Sequence, residues 1–417
     1  MYPQHAQQGA TASSKSPVED MGPRIPIYSQ EFAADPHGYY RRMRSEYGAL
    51  VPVEIWPGIP ATLVVKYATA VRILNDSTHF PADPSAWQRS VPADIPIMPM
   101  IEYRPNAIRT SGPVHTRYRK ALSDALAGID LNSVRSMVES TAIPVVNTFC
   151  ADGRADVLSQ YALPLVFSVF CQSLGCPPDI GQRVAAASAA MFDGVDTETV
   201  NASMGAALLD LTALKRAQPG DDVTTRLVQH PAGLSDEEMV HQLVLLFAAG
   251  VEPPLNLIAN TLLLMMTDSR FTSAVQGIPL PTSTAIGERL ATDPPMANYC
   301  ITYPRQPTLI ENVWLPADQP VIISMAACNT DPELNPGESL GNAWNLAFSS
   351  GDHACPVHAQ SYGRLLAQEV IDQLLDFLPE IRLAVAADDL VWRPGPFHRA
   401  LTELPVVFPP TRPFPAV

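Results

Sequence analysis

Paired cysteines are missing from this chain of 417 residues. Its six cysteines, Cys150, Cys171, Cys176, Cys300, Cys328 and Cys355, form no C-x-x-C pair. Their scatter gives neither a zinc site nor a disulfide framework, and it suits the reducing cytoplasm. Positive charge is scarce as well. Against 42 acidic residues stand 27 Lys and Arg, a net charge of −15, which excludes a general attraction to nucleic acid or to an anionic membrane. An electrostatic partner must therefore meet a local patch. Long apolar runs are absent too, since the longest, Leu243 to Gly250, is far too short to span a bilayer. The first residues are rich in Gln, Ala, Ser and Pro without an apolar segment, so residues 1–23 read as a disordered tail, not a signal peptide or anchor. No short repeat, flavin fingerprint or second redox domain is visible. What remains, at 47% hydrophobic, suffices for a full core, and residues 24–417 are expected to form one large domain.

Between Pro26 and about Phe80 a polar helix over Pro36–Tyr47 is followed by β-rich stretches such as Ala61–Val65, an α/β edge region. A Pro- and Met-rich loop occupies residues 90–113. Helical periodicity then dominates to about residue 270. Within it Ser235-Asp-Glu-Glu238 is a capping box that opens the longest helix candidate, running toward Met266 with Pro253 and Pro254 near its middle. Short strands are expected at Val313–Leu315 and Val321–Met325, an irregular stretch up to Phe348, a helix over about Gln360–Leu378, and a β-hairpin over Val391–Phe408 bent at Pro394-Gly-Pro396.

Chemistry concentrates in Phe348-Ser-Ser-Gly351-Asp-His353-Ala-Cys355-Pro, directly before that late helix. A sulfur at a helix start meets unpaired N–H groups and the positive end of the helix dipole, which favour a thiolate. A lone cysteine is more often a small buried hydrophobe, but the company of Cys355 suits an anionic ligand of haem iron. Phe348 can pack beside the sulfur, Gly351 can let the backbone approach a flat macrocycle, and His353 can reach a propionate.

With that loop, and in the order of its pieces over about residues 24–410, the chain resembles a soluble bacterial cytochrome P-450, a haem-thiolate monooxygenase. The resemblance implies a mainly α fold with smaller β-sheets (α+β), haem b held by Cys355 as the proximal ligand, and O2 as co-substrate. Val357 replaces the family's glycine two residues after the cysteine, with a helix start pushed slightly away as the expected result. His115 and Arg119 match the family's His-x-x-x-Arg; four-residue spacing puts them on one helix face, where they would hold the propionates. Arg305 is a further propionate candidate, although the family's arginine also aligns near Thr302. Ala249 and Gly250 match the part of the central helix that borders the haem.

Two departures from the family bear on mechanism. Its Ala-Gly-x-acid-Thr becomes Ala249-Gly250-Val251-Glu252-Pro253-Pro254, so Glu252 keeps the catalytic acid while the hydroxyl that holds a proton-delivering water chain is gone. Protons would come through Glu252, ordered water or the substrate itself, and the prolines should bulge or end the helix. The family's Glu-x-x-Arg pair keeps Glu288 but has Ala291 in place of the arginine, with Arg289 about 100° away. Glu288 should then be exposed, protonated or paired locally.

By the same resemblance the substrate pocket draws on Met98, Met100, Tyr103, Phe247, Tyr299, Phe397 and His398, and Arg117, Lys120 and Arg364 lie where a small acidic ferredoxin, recharged by its reductase, would dock. The implied activity is oxidation of a secondary-metabolite precursor, a small molecule or peptide, by hydroxylation or by oxidative aryl crosslinking. Two other readings are a catalytically silent partner of a biosynthetic enzyme and a haem sensor that binds without turnover.

Overall fold

Capping and periodicity in the sequence become a helical body beside a small sheet. The computed structural model describes residues 17–192, 197–272, 280–334 and 345–415. Its main helices are α1 (Pro36–Tyr47), α2 (Tyr67–Leu74), α3 (Gly112–Ala127), α4 (Leu131–Val146), α5 (Leu163–Leu174), α6 (Pro178–Phe192), α7 (Thr197–Ala217), α8 (Asp236–Thr267), α9 (Thr282–Thr292) and α10 (Val357–Phe377). The strands are β1 (Ile25–Pro26), β2 (Leu50–Trp56), β3 (Ile59–Val64), β4 (Arg154–Asp156), β5 (Cys300–Thr302), β6 (Thr308–Ile310), β7 (Val313–Leu315), β8 (Val321–Ile323), β9 (Arg382–Leu383) and β10 (Pro405–Val407).

The largest sheet has the order β1-β2-β3-β8-β5. Its hairpin pairs Leu50 with Val64 and Val53 with Ala61, and the turn at Pro57-Gly58 uses the positive φ of 74° that Gly58 tolerates. β3 runs parallel to β8, and β5 closes the sheet antiparallel to β8. Its apolar side chains form one core with Met98, Ile101 and Phe397. A second, larger core lies among the helices, where α8 packs against α5, α7, α9 and α10.

Helix α8 is the axis of that body. Ser235 Oγ accepts from the Glu238 N–H while the Glu238 carboxylate accepts from the Ser235 N–H, which closes the expected capping box. The helix then continues as α-helix for 32 residues through both prolines, so the expected break or bulge there is not found. Packing on the neighbouring helices outweighs the loss of two backbone donors. By length and composition α8 could cross a bilayer, but 56% of its apolar window is buried inside the fold.

Several boundaries differ from expectation. Residues 17–20 are helical and Val18 is fully buried, so ordered chain begins before residue 24; residues 1–16 lie outside the described ones. Helix α10 starts at Val357, three residues early, because Pro356 provides a ready N-terminus. The expected C-terminal hairpin reduces to a bridge between Trp392 and Leu401, since Val406 and Val407 pair instead with β4 and β9. Part of the irregular segment, residues 335–344, also lies outside the described residues.

Candidate haem site

The loop before α10 folds tightly around Cys355. Its N–H donates to the Phe348 carbonyl over 2.9 Å, and Ser349 and Gly351 take positive φ of 63° and 70°. Gly351 is required by a close approach, but to protein: a Cβ there would stand 2.1 Å from the Leu74 carbonyl oxygen. Phe348 packs on the helical core, and the Arg364 guanidinium covers its ring at 5.1 Å. Val357 is 78% exposed, so the missing glycine crowds nothing. In the protein alone burial pushes the Cys355 thiol up to about 11, with Arg119 opposing. The helix start therefore does not ionise it, and iron must supply that driving force.

Helix α3 brings His115 and Arg119 to the same place. The rings of His115 and His353 lie 4.1 Å apart. Burial and the neighbouring imidazole hold His353 at about 4, while burial and Arg119 lower His115. Both are held neutral in the protein alone, and a carboxylate placed beside them would favour the imidazolium and so protonate the open nitrogens. One ring nitrogen of His353 bonds the Ala107 backbone, and its Nδ1, like Nε2 of His115, is buried without a partner. Arg119, half-buried, makes no ion pair among the described residues. Each orphaned polar atom costs about 1–3 kcal/mol, so two imidazole nitrogens and a guanidinium left open together form a site for carboxylates.

At the middle of α8, an otherwise packed helix, the small residues Ala248 and Ala249 are exposed. Pro253 and Pro254 carry no N–H for the carbonyls of Ala249 and Gly250, which remain free acceptors beside that opening. Gly250 faces elsewhere, for a Cβ on it would lie 2.2 Å from the Phe170 ring of α5. On that side it is a packing residue. Glu252, one turn from Ala249, is held by Arg393 and by Asn256 Nδ2 at 3.1 Å. Arg393 Nε donates to His398 Nε2 over 3.1 Å, which places the ring proton on Nδ1. Burial, then Arg393, lowers His398 to about 4.

The remaining candidates divide. Met98, Tyr299 and Phe397 belong to one apolar cluster, with the Tyr299 and Phe397 rings edge to face at 5.6 Å. Met100 and Tyr103 are over one-third exposed on the adjoining loop. Phe247 packs between Phe167 and Phe170, both at 5.9 Å, and belongs to the helical core instead of the pocket. Arg305 is exposed and its side chain makes no hydrogen bond among the described residues, unlike a buried propionate ligand. Arg117 is spent on Glu238, at 2.6 and 2.9 Å, and Lys120 on Asp124 at 2.6 Å, so neither is a free docking cation. The structure adds Arg109, which is 3% exposed beside Tyr299. Its one sequence signal is a cation inside a Pro- and Met-rich loop.

Glu288 is paired locally, as expected of a carboxylate without its family arginine. Arg270 donates to it over 2.8 Å. The support lost with the missing arginine is taken over at the end of α9, where Asp293 accepts from Arg399 Nε at 3.1 Å and meets His37 Nε2 at 3.3 Å.

Orphaned imidazoles, a half-buried arginine, a cysteine at a helix start and a bare alanine face fit haem. With this fold they define a haem-thiolate protein. No family model matches the chain. It is 30% identical over 414 residues to the cytochrome P450 monooxygenase PikC of Streptomyces venezuelae, covering 96% of each chain. To the vitamin D(3) 25-hydroxylase of Pseudonocardia autotrophica it is 28% identical, over 92% of this chain and 96% of that one. Among solved structures, CYP154C4 from Streptomyces sp. W2061 superposes with a TM-score of 0.83 at 25% identity, over 94% of this chain and 99% of that one. The tirandamycin C-bound monooxygenase TamI does so at 0.79 and 26%, over 92% and 100%. The chain belongs to the cytochrome P450 family and is a P450 monooxygenase.

Proposed function

We propose that the chain hydroxylates a polar secondary-metabolite precursor in the cytoplasm, with haem b at Cys355 and electrons from a ferredoxin and its reductase. The observation that carries this is the pair of open imidazole nitrogens on His115 and His353 with the Arg119 guanidinium near both. A silent scaffold has no use for buried nitrogens without partners. The names of the relatives support the chemistry, since PikC is a monooxygenase and a second relative a hydroxylase; oxidative aryl crosslinking gains no such support.

Haem bound here would supply oxygen activation at a thiolate-ligated iron. His115, His353 and Arg119 would hold its two carboxylates, and Cys355 would give up its proton on ligation. Glu252 would be the acid that relays protons, and Arg393 and Asn256 hold its carboxylate. With Pro253 in place of a hydroxyl, Arg393 donates to both the Glu252 carboxylate and His398 Nε2 and so fixes their positions, while the protons themselves would reach Glu252 through water. Beside it lies a cavity of about 10 Å³ lined by Tyr40, Asn298, Arg393 and His398, room for one water. The substrate would complete the chain with its own polar group against the free carbonyls of Ala249 and Gly250.

The test is a reduced-CO difference spectrum, followed by product mass analysis with ferredoxin, its reductase and candidate precursors. A thiolate-type Soret band in wild type, lost in Cys355→Ser together with at least about 100-fold of turnover, is the expected result. Unchanged spectra in the variant would overturn the assignment. A mass gain of one oxygen marks hydroxylation, and loss of two hydrogens marks crosslinking.

A further inference from the structure

Arg109 is the best-buried cation in the pocket region and has no anion. It is 3% exposed. One terminal nitrogen, Nη2, donates to the Met100 carbonyl and, over 2.9 Å, to the Tyr299 hydroxyl. Tyr299 in turn donates to the same Met100 carbonyl at 2.9 Å, and the guanidinium lies 5.2 Å from its ring. These partners are neutral. No carboxylate stands within ion-pair distance of Arg109 among the described residues, and Asp83, which shares the neighbouring Tyr303, is taken by the N–H and hydroxyl of Ser85. Nε and Nη1 accordingly have no protein acceptor among the described residues.

A guanidinium remains charged at any working pH, so burying it without a counter-ion costs several kcal/mol unless something returns that energy. The geometry is already fixed. Tyr299 and the Met100 carbonyl hold Nη2, leaving the Nε–H on one side of the planar fork and the Nη1 hydrogens on the other as separate donors. Either side can give a charge-assisted hydrogen bond to a carboxylate oxygen. Beside it Met100 is 37% exposed and the half-buried Tyr299 ring packs on Phe397, an apolar border for the rest of an organic acid.

We propose that Arg109 is a carboxylate receptor, so that the protein takes an organic acid anchored by its carboxylate in preference to the neutral analogue. The inference rests on the pocket reading above. Two carboxylates could occupy the fork, that of a substrate and a haem propionate, and the experiment separates them.

Haem-loaded wild type is titrated with decanoate and with 4-phenylbutyrate, each against its primary amide, following the Soret shift. The acids are expected to bind at least about tenfold more tightly than the amides. Arg109→Gln should erase that ratio, and Arg109→Lys should keep part of it. Loss of packing alone would weaken acid and amide equally. In parallel, haem transfer to apomyoglobin is timed. An acid-to-amide ratio that collapses with unchanged haem loss assigns the fork to substrate; faster haem loss in Arg109→Gln assigns it to a propionate. An acid-to-amide ratio near one in wild type, with haem loss unaffected by either variant, overturns the proposal. Should Arg109→Gln not fold, Arg109→Lys and Tyr299→Phe carry the same comparison. If wild type takes up no haem, the monooxygenase reading fails, while calorimetric titration of the same acids and amides still decides whether Arg109 binds carboxylates.

Discussion

At the scale of single residues the site is a set of groups held neutral or paired by burial. His398 shows the consequence for stability. Burial first, then Arg393, lowers it to about 4, and Glu252 opposes; in the unfolded chain it titrates near 6.5. A histidine kept neutral by the fold contributes fully above the unfolded value, and its contribution is lost as pH falls from about 6.5 toward 4, where the unfolded chain binds a proton that the folded one refuses. By pH 5 the loss is about 2 kcal/mol. His398→Gln should therefore lose less melting temperature than wild type between pH 7 and pH 5. An equal loss in both proteins would show that His398 is not held neutral. The same scale explains what sequence could reach. His115, Arg119, His353 and Cys355 were legible because each type has a spacing that fixes its direction. Arg109 and Arg393 lie in irregular chain, where direction is set by tertiary contacts alone. The contact of Gly250 with Phe170 was not legible, because a glycine shows that space is short without showing what fills it.

At the scale of elements the central helix decides most. Replacing a mid-helix glycine by alanine ordinarily stabilises, by up to about 1 kcal/mol. At Gly250 the sign reverses. The added Cβ would sit 2.2 Å from a Phe170 ring that is itself wedged against Phe247 at 5.9 Å and Tyr362 at 6.3 Å, and overpacking of this kind costs about 1–3 kcal/mol. Gly250→Ala should lower the urea midpoint without changing the slope of the transition, and Phe170→Leu in the same chain should recover part of the loss. A variant more stable than wild type would show that α5 and α8 do not pack this closely. The ends of α8 and α1 were readable in the sequence because a capping box and a proline start are local signals. Its passage through Pro253-Pro254 was not, since local rules predict a break that only packing from several sides can override. The rewired support of α9 was half legible. A missing arginine announced that Glu288 needed a partner, but Arg270, Arg399 and His37 come from distant parts of the chain.

For the whole molecule the governing quantity is charge. The chain carries −15, and an acidic ferredoxin would meet a protein of its own sign. A local basic patch could reverse that, but the structure neutralises two of its three members. Arg117 lies in the grip of Glu238, Lys120 in that of Asp124, and Arg364 rests on the Phe348 ring. Long-range repulsion between like net charges is then the larger electrostatic effect, and screening removes it first, since the Debye length is about 10 Å at 0.1 M salt. Raising ionic strength from about 0.01 to 0.15 M should consequently lower the apparent KM for an acidic ferredoxin, or leave it flat, where a docking site built on exposed cations would show a steep rise. Steady-state reduction kinetics over that salt range, with an uncharged electron donor as control, make the measurement. A KM that climbs severalfold with salt would mean that Arg117 and Lys120 let go of their carboxylates when the donor arrives, and that the ion pairs seen here are the resting state of a docking surface.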